Sequence, residues 1–248
     1  MARVARNVPY TLVGEMTAQQ TIVVDHLARL EDGSIVVAGI DGNHEHIAPL
    51  RGSPWDTAAT TRAGGPFGIG VAVDIGFSRR SGAPPLVEER EVDEAGIDTL
   101  GRLPDGQFWS LLETLGHDHL PSIYGPDLTV SPTGAASVPV GRGKASLGVL
   151  RCPGPAELFR RGGQLRMGLD DLRLGSLDLN VGDHRLRDEK GVPIDSLWKV
   201  IRRRVQSGEP VVLSLGLSQA FNGAHWLRVD SIHFRDYFDD HPVFRFAR

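Results

Sequence analysis

Thirty glycines and sixteen prolines interrupt this chain of 248 residues, and they constrain its fold more than any other feature of the sequence. Such residues end helices and strands and favour turns. Between them lie short segments rich in β-branched residues, such as Ile35–Ile40, which follows the Asp32-Gly33 pair typical of a hairpin turn. The pattern predicts many short strands joined by turns.

Only two segments have the period of an amphipathic helix, Asp105–Gly116 and Asp195–Gln206. Their apolar positions are Phe108, Leu111, Leu112 and Leu115 in the first segment, and Leu197, Val200, Ile201 and Val205 in the second. About ten strand segments, from Tyr10–Val13 to His225–Phe234, surround them. This arrangement predicts a mainly β fold made of small barrels or a sandwich, with one helix in each half, rather than a doubly wound sheet.

Charge is divided unevenly along the chain. Residues 1–128 contain 9 arginines and 18 acidic residues, whereas residues 129–248 contain 18 basic and 13 acidic residues. Residues 129–145, rich in Pro, Gly and Ser, are the best linker candidate. We therefore predict an acidic domain at 1–128 and a basic domain at 129–248, of which the basic one is the candidate for contact with a polyanion.

Composition also limits the class of protein. No apolar run approaches the roughly 18 residues that cross a bilayer, and the first residues show no signal-peptide pattern. The single cysteine, Cys152, excludes a disulfide framework and a site with several thiolates. We expect a cytoplasmic protein without a membrane contact, a metal or another cofactor.

Several short segments, in their order along the chain, resemble the dual OB-containing domain family. In the first half they are Val37–Ile40, His46–Leu50, Pro66–Gly70 and Pro84–Glu89, and in the second half Ala145–Gly148, Leu179–Asp183, Leu213–Leu217 and His225–Val229. The resemblance implies two OB-type barrels, nucleic-acid binding without catalytic residues, and a role in prokaryotic defence against foreign genetic elements. Ser34 and Ala48 stand where the family has arginine, so the second barrel is the stronger candidate for binding.

Binding of nucleic acid needs cations for the phosphates and exposed aromatic rings for the bases. The second half supplies both, and the predicted binding residues are Arg142, Lys144, Arg151, Arg160, Arg161, Arg166, Trp226 and Arg228. On a regular strand Trp226 and Arg228 share one face, where they could hold a base and its phosphate. In the alternative interpretation Trp226 is part of the core and Arg228 reaches solvent.

Two segments resemble the signatures of calcineurin-like metallophosphoesterases, Gly42-Asn43-His44-Glu45 and Gly116-His117-Asp118-His119. Metals held by such residues could activate a water for attack on a phosphoester. The upstream aspartates of that family are missing, because only Asp25-His26 precedes the first segment and Gly42-Asn43 also suits a turn.

Other catalytic patterns are weaker. Ser146 and Ser214 lack a nucleophile elbow, and Asp183-His184 with His233 could form an acid-base pair but are isolated. We therefore expect no enzyme, but a protein that binds single-stranded DNA, RNA or a nucleotide. The alternatives are a scaffold whose acidic first domain docks a protein partner and, less favoured, a metal-dependent phosphoesterase.

Overall fold

The protein is described by a computed structural model that covers residues 19–152 and 154–236. Strands make up 43% of it and helices 18%, which confirms the mainly β prediction. Two curled sheets form two half-barrels. The predicted strand Tyr10–Val13 lies outside the described residues.

The first sheet contains seven strands. They are β1 (Thr21–Arg29), β2 (Ile35–Asp41), β3 (His46–Leu50), β4 (Val71–Asp74), β5 (Ser78–Arg80), β6 (Glu89–Val92) and β7 (Asp98–Arg102). Their order across the sheet is β5-β6-β3-β2-β1-β4-β7. All neighbours are antiparallel except β3 and β6, which pair in parallel.

The second sheet contains the remaining strands. They are β8 (Thr129–Val130), β9 (Ala136–Pro139), β10 (Leu147–Arg151), β11 (Ala156–Arg161), β12 (Gln164–Asp171), β13 (Gly175–Val181), β14 (Val212–Leu217) and β15 (Ala224–His233). Six of them follow the order β10-β14-β15-β13-β12-β11, and β9 pairs with both β15 and β8. Residues 129–145 therefore contain two strands of this sheet, so the prediction that they form a linker is wrong.

The described helices are α1 (Asp105–Leu115), α2 (Leu120–Tyr124) and α3 (Asp195–Gln206). Short 3₁₀ turns occupy Thr57–Ala59, Thr61–Ala63, Glu94–Gly96 and His184–Leu186. Helices α1 and α3 lie where periodicity predicted them. The predicted apolar positions that are buried are Phe108 and Leu112 in α1, and Leu197, Ile201 and Val205 in α3. Periodicity did not predict α2, which spans only five residues. No helix in the described part of the chain is long and apolar enough to cross a membrane.

Each sheet covers an apolar core, and the core under the first sheet also includes Val149 of β10 and Val212 of β14. Phe108, Trp109 and Leu112 of α1 pack into the core under the first sheet, and α3 packs into the core under the second. Both α2 and the following Leu128 belong to the second core, although they precede residue 129.

The two sheets meet where β1 runs against β14 and β15, a contact that we call the junction. Hydrogen bonds from backbone N–H groups join the halves there and beside it. Leu27 donates to Ser231 Oγ at 3.1 Å, Arg29 to the Gly182 carbonyl at 2.7 Å, and His117 to the Val149 carbonyl at 2.9 Å. The junction is therefore bonded as well as packed.

Candidate functional site at the junction of the two sheets

A β-bulge in β1 directs two successive polar side chains toward the second sheet. Val24 pairs with Gly39 and His26 pairs with Ala38, so Asp25 has no partner in the ladder. Alternation would send Val24 and Leu27 to opposite faces, yet both lie in the first core. The extra residue therefore puts Asp25 and His26 together on the other face, where both are completely buried.

A second bulge lies opposite, between β14 and β15. Ser214 pairs with Ser231 and Leu215 pairs with Val229, which leaves Asp230 as the extra residue. The Leu215 carbonyl accepts hydrogen bonds from Tyr124 Oη at 2.9 Å and from His26 Nε2 at 3.2 Å. The two irregularities thus meet and form a buried polar network at the junction.

Asp25 is the centre of this network. Its Oδ1 lies 2.8 Å from His26 Nδ1, and its Oδ2 lies 3.4 Å from His46 Nε2. Ser214 Oγ donates to Oδ2 at 3.1 Å. Burial acts to raise the pKa of Asp25, but the adjacent rings of His26 and His46 lower it well below its usual range. Burial acts to lower the pKa of His26, and the Asp25 charge raises it above its ordinary value.

The direction of these hydrogen bonds argues against a serine nucleophile. Ser214 gives its proton to Asp25, so the 2.9 Å contact between Ser214 Oγ and His233 Nε2 requires the histidine to donate. Burial and the charge of Arg185 lower the pKa of His233 to about 3, so its ring is neutral near pH 7. His233 therefore holds Ser214 in place and is not its base, and Ser214 is also completely buried.

The predicted acid-base pair of Asp183-His184 with His233 is not assembled. Asp183 instead accepts two hydrogen bonds from the Arg185 guanidinium, at 2.9 and 2.7 Å, and another from the Ile232 N–H at 2.9 Å. All of these residues are buried. They form a structural pair that attaches β15 to the turn at His184–Leu186.

Beside the junction is a cavity of about 440 Å³, which we call the cleft. Its polar and charged lining residues are His44, Glu45, His46, Arg80, Glu88, Arg90, His117, Ser122 and Lys144. Both halves contribute to its wall, and Glu88 joins them because it accepts from the Ser146 N–H and Oγ. Burial, followed by the positive charges of Lys144 and Arg151, lowers the pKa of His117.

The two segments that resemble phosphoesterase signatures both reach this cleft, through His44 and Glu45 and through His117. They do not form a binuclear metal centre. Within the residues that the structure describes, only Asp25, His26 and His46 group as potential metal ligands. Asn43 is used locally, since its N–H and side-chain amide both donate to Asp41 in the turn.

All three predicted arginines on β11 and β12 contact carboxylates. Arg161 and Arg166 both contact Asp178, at 2.5 and 2.7 Å, and Arg160 lies 3.5 Å from Asp195. Arg151 likewise bonds Asp118 at 2.9 Å, at the end of β10. Each of these pairs reduces the charge available to a phosphate.

Two other predicted cations are better placed. Lys144 lines the cleft, where its Nζ donates to the Ser122 carbonyl at 2.7 Å. Arg142 is exposed, and its side chain makes no hydrogen bond or ion pair to any described residue. A single residue, Gly143, separates Arg142 from Lys144 along the chain.

The burial of Trp226 and Arg228 is the opposite of the alternative interpretation, in which the tryptophan is buried and the arginine is exposed. Trp226 is partly exposed and donates from Nε1 to the Phe221 carbonyl at 3.1 Å. Arg228 is buried, and its Nε lies 2.5 Å from Asp230 Oδ1. The guanidinium is therefore held by the bulge at the junction.

An exposed group of apolar side chains surrounds Trp226, and sequence reasoning missed it. Phe221 is 66% exposed and Val140 is 54% exposed. The Val140 N–H donates to the Gly223 carbonyl at 3.1 Å, which brings the two loops together. We call Val140, Phe221 and Trp226 the aromatic patch. The signal in the sequence was Phe221 itself, an aromatic residue in an otherwise polar turn between β14 and β15.

Comparison with family models and with curated proteins finds no match to this chain. The two candidate binding surfaces are the cleft and the aromatic patch. They are connected through residues 140–144, which contain Arg142 between the patch and Lys144 of the cleft.

Proposed function

We propose that the protein binds single-stranded nucleic acid along the surface from the aromatic patch, through Arg142 and Lys144, to the cleft. The observation that carries the proposal is the exposed ring of Phe221 beside Trp226, with the unpaired Arg142 on the adjoining loop. Aromatic rings and cations in this proximity fit a ligand that alternates bases and phosphates.

The energetic basis is stacking together with phosphate neutralisation. A base on an exposed ring contributes about 1–3 kcal/mol, and every base offers a face to such a ring. Arg142, Lys144 and the exposed Arg80 supply the cations. We expect affinity in the micromolar range or weaker at physiological salt, because the electrostatic part does not depend on sequence.

We also infer that the two half-barrels are of the OB type. The two curled sheets, each covering an apolar core, support this inference. OB folds are partly open barrels that bind oligonucleotides on one face and through the flanking loops. In the aromatic patch Val140 and Phe221 lie on loops beside β9 and β15, and Trp226 lies on β15 itself.

Binding, and not catalysis, is the function that these contacts favour. Ser214 has no base, and the two segments similar to phosphoesterase signatures do not combine into a binuclear site among the described residues. The cations Arg142 and Lys144 instead lie where they can hold phosphates.

Fluorescence anisotropy with the full chain tests the proposal. Labelled single-stranded DNA, single-stranded RNA and duplex DNA are titrated at low and moderate salt. We expect binding of one or both single strands in preference to the duplex, with log affinity falling linearly against log salt. The two single-stranded arms decide whether the ligand is DNA or RNA.

Matched variants locate the surface. Phe221→Ala should weaken binding about 5- to 100-fold, the equivalent of one stacked base. Arg142→Ala should weaken binding and make the salt slope shallower by about 0.7, the contribution of one phosphate contact on a single strand. The controls are Leu172→Ala and Arg173→Ala, an exposed apolar residue and an exposed arginine in the turn between β12 and β13.

Two results would overturn the proposal. One is a folded chain that binds no single strand at low salt, which would favour a scaffold that contacts protein through its acidic first half. The other is an equal loss of affinity in the patch variants and in the controls, since binding would then depend on total charge and not on this surface.

A further inference from the structure

We propose that Asp25, His26 and His46 bind one divalent transition-metal ion of the zinc class at the junction. The three potential ligand atoms lie within 4.8 Å of one another, one from each side chain. This inference stands independently of nucleic-acid binding, because it depends on the buried network and not on the exposed patch.

The first support is a set of buried polar atoms without hydrogen bonds. Asp25 Oδ1, His26 Nδ1 and His46 Nε2 are all inaccessible to solvent, and among the described residues their close contacts are the two ion pairs that join these side chains to one another. Buried polar atoms are nearly always satisfied, because an unsatisfied one loses its bonds to water without compensation. Three such atoms that face one another indicate a common missing partner.

The second support is the tautomer of His26. Its Nε2 bonds the Leu215 carbonyl, which can only accept, so Nε2 carries the proton. A cation must then lie between Nδ1 and the Asp25 carboxylate, 2.8 Å away: a proton in the metal-free chain, or a metal ion that displaces that proton. Metal-binding histidines commonly donate their other N–H to a backbone carbonyl, as His26 does.

The Asp25 carboxylate is also oriented by hydrogen bonds from residues that would not themselves bind the metal. Ser214 Oγ donates to Asp25 Oδ2, and His233 in turn donates to Ser214. Such contacts orient the ligands of a metal and are characteristic of built metal sites. The two carboxylate oxygens face different histidines, Oδ1 toward His26 and Oδ2 toward His46.

The spacing fits a small ion after a modest adjustment. Zinc bonds of about 2.0–2.2 Å in a tetrahedron separate the ligand atoms by about 3.4 Å. The separation between Asp25 Oδ2 and His46 Nε2 is already 3.4 Å, and the one between Asp25 Oδ1 and His26 Nδ1 is 2.8 Å. The His26 and His46 rings are nearly perpendicular, with centroids 5.2 Å apart.

The donor set and its position decide the class of ion. Two imidazoles and one carboxylate suit zinc and similar transition metals, whereas magnesium and calcium prefer oxygen ligands. Asp25 and His26 are completely buried, but the side chain of His46 is 14% exposed and lines the cleft. An ion would therefore enter past His46, and three protein ligands would leave a further coordination position.

The test uses the full chain, freed of metal with a chelator. Cobalt(II) serves as the spectroscopic probe and zinc is titrated by calorimetry. We expect one equivalent of each to bind, visible absorption typical of tetrahedral cobalt, and a higher melting temperature with zinc. X-ray absorption of the zinc form should show nitrogen and oxygen ligands that include two imidazoles.

A pair of matched variants separates this site from the other histidines of the cleft. His46→Asn should weaken cobalt binding at least about tenfold and abolish the tetrahedral spectrum. His44→Asn, which changes an exposed histidine two residues away, should leave both unchanged. Circular dichroism without metal confirms that each variant folds.

The proposal fails if the wild-type chain binds neither ion, because a proton on His26 then compensates the Asp25 carboxylate. It also fails if the two variants lose the spectrum equally. The absorption experiment needs no variant, and a bound zinc with fewer than two imidazoles would overturn the assignment as well.

Discussion

Asp25 and His26 are consecutive in the chain, yet their side chains lie on the same face of β1, with His26 Nδ1 2.8 Å from Asp25 Oδ1. Neighbours on a regular strand point to opposite faces. The bulge in β1 removes that restriction and delivers both groups to the junction. The same pair contacts Ser214 and the Leu215 carbonyl, so it also connects the two sheets.

Removal of the Asp25 carboxylate should destabilise the whole molecule. In Asp25→Ala the buried His26 loses its counter-charge and Ser214 loses its acceptor. We expect a loss of about 3–5 kcal/mol in the free energy of unfolding, measured with urea, because one partner of a buried charged pair remains uncompensated. Asp98→Ala, an exposed aspartate on β7, is the control and should change stability by less than about 0.5 kcal/mol. An equal loss of stability in Asp25→Ala and Asp98→Ala would contradict the prediction that Asp25 holds the buried network together.

The close approach of β1 and β2 at the bulge predicts that replacement of Gly39 by alanine lowers the stability of the fold. A Cβ at Gly39 would lie 2.7 Å from the Val23 carbonyl oxygen, which belongs to the backbone and cannot rotate away. Gly39→Ala should therefore destabilise the fold by about 1–3 kcal/mol in urea unfolding. Gly42→Ala is the matched control, because a Cβ there meets no atom within 4 Å. A Gly39→Ala protein as stable as its control would show that the two strands can separate at no cost.

His184 should make stability depend on pH. Burial and the charge of Arg62 lower its pKa from 6.5 to about 4. Between these values the unfolded chain binds a proton that the folded chain does not, so stability falls as the pH is lowered from about 6.5 to about 4. The full contribution is about 3 kcal/mol, and no further loss from this group occurs below pH 4.

Urea unfolding of wild type and His184→Gln at about pH 7 and pH 4.5 measures this contribution. The difference between the two pH values should be smaller in His184→Gln than in wild type. His44→Asn should keep the wild-type difference, because that histidine is exposed. An unchanged pH dependence in His184→Gln would contradict the prediction.

His117 should report on the charge of the cleft. Burial, followed by the charges of Lys144 and Arg151, lowers its pKa. Lys144→Ala should therefore raise the pKa of His117, measured from its ring resonances by NMR. Binding of an oligonucleotide to the wild-type chain should raise it too, since phosphates would bring negative charge to the ring. A resonance that titrates identically with and without a bound oligonucleotide would place the phosphates elsewhere.

Local patterns were sufficient to predict most of the secondary structure. The apolar period of Asp195–Gln206 predicted α3 at its observed bounds, because one face of a helix must be buried wherever it packs. Turn residues and β-branched segments likewise predicted β2 and the mainly β class. The segment Leu120–Tyr124 was missed, since five residues are too few to show a helical period.

The residues of the candidate site were harder to predict from local sequence patterns. Lys144 was predicted from its charge, and it does line the cleft. Charge alone, however, could not distinguish Arg142 from Arg161, because the Asp178 that binds Arg161 lies on β13 while Arg161 ends β11. The number of basic residues in the second half was evident from the sequence, and their pairing was not.

The sequence by itself determined the short strands, the two amphipathic helices and the uneven distribution of charge, because these depend on neighbours within a few residues. Only the tertiary structure decided that Asp25 faces Ser214 and that His26 faces the Leu215 carbonyl, each 189 positions away along the chain. A bulge shifts the alternation of β1 by one residue, and its partner strands decide where the shift occurs. The chemistry of the junction therefore arises from packing between distant strands, which no local pattern of residues encodes.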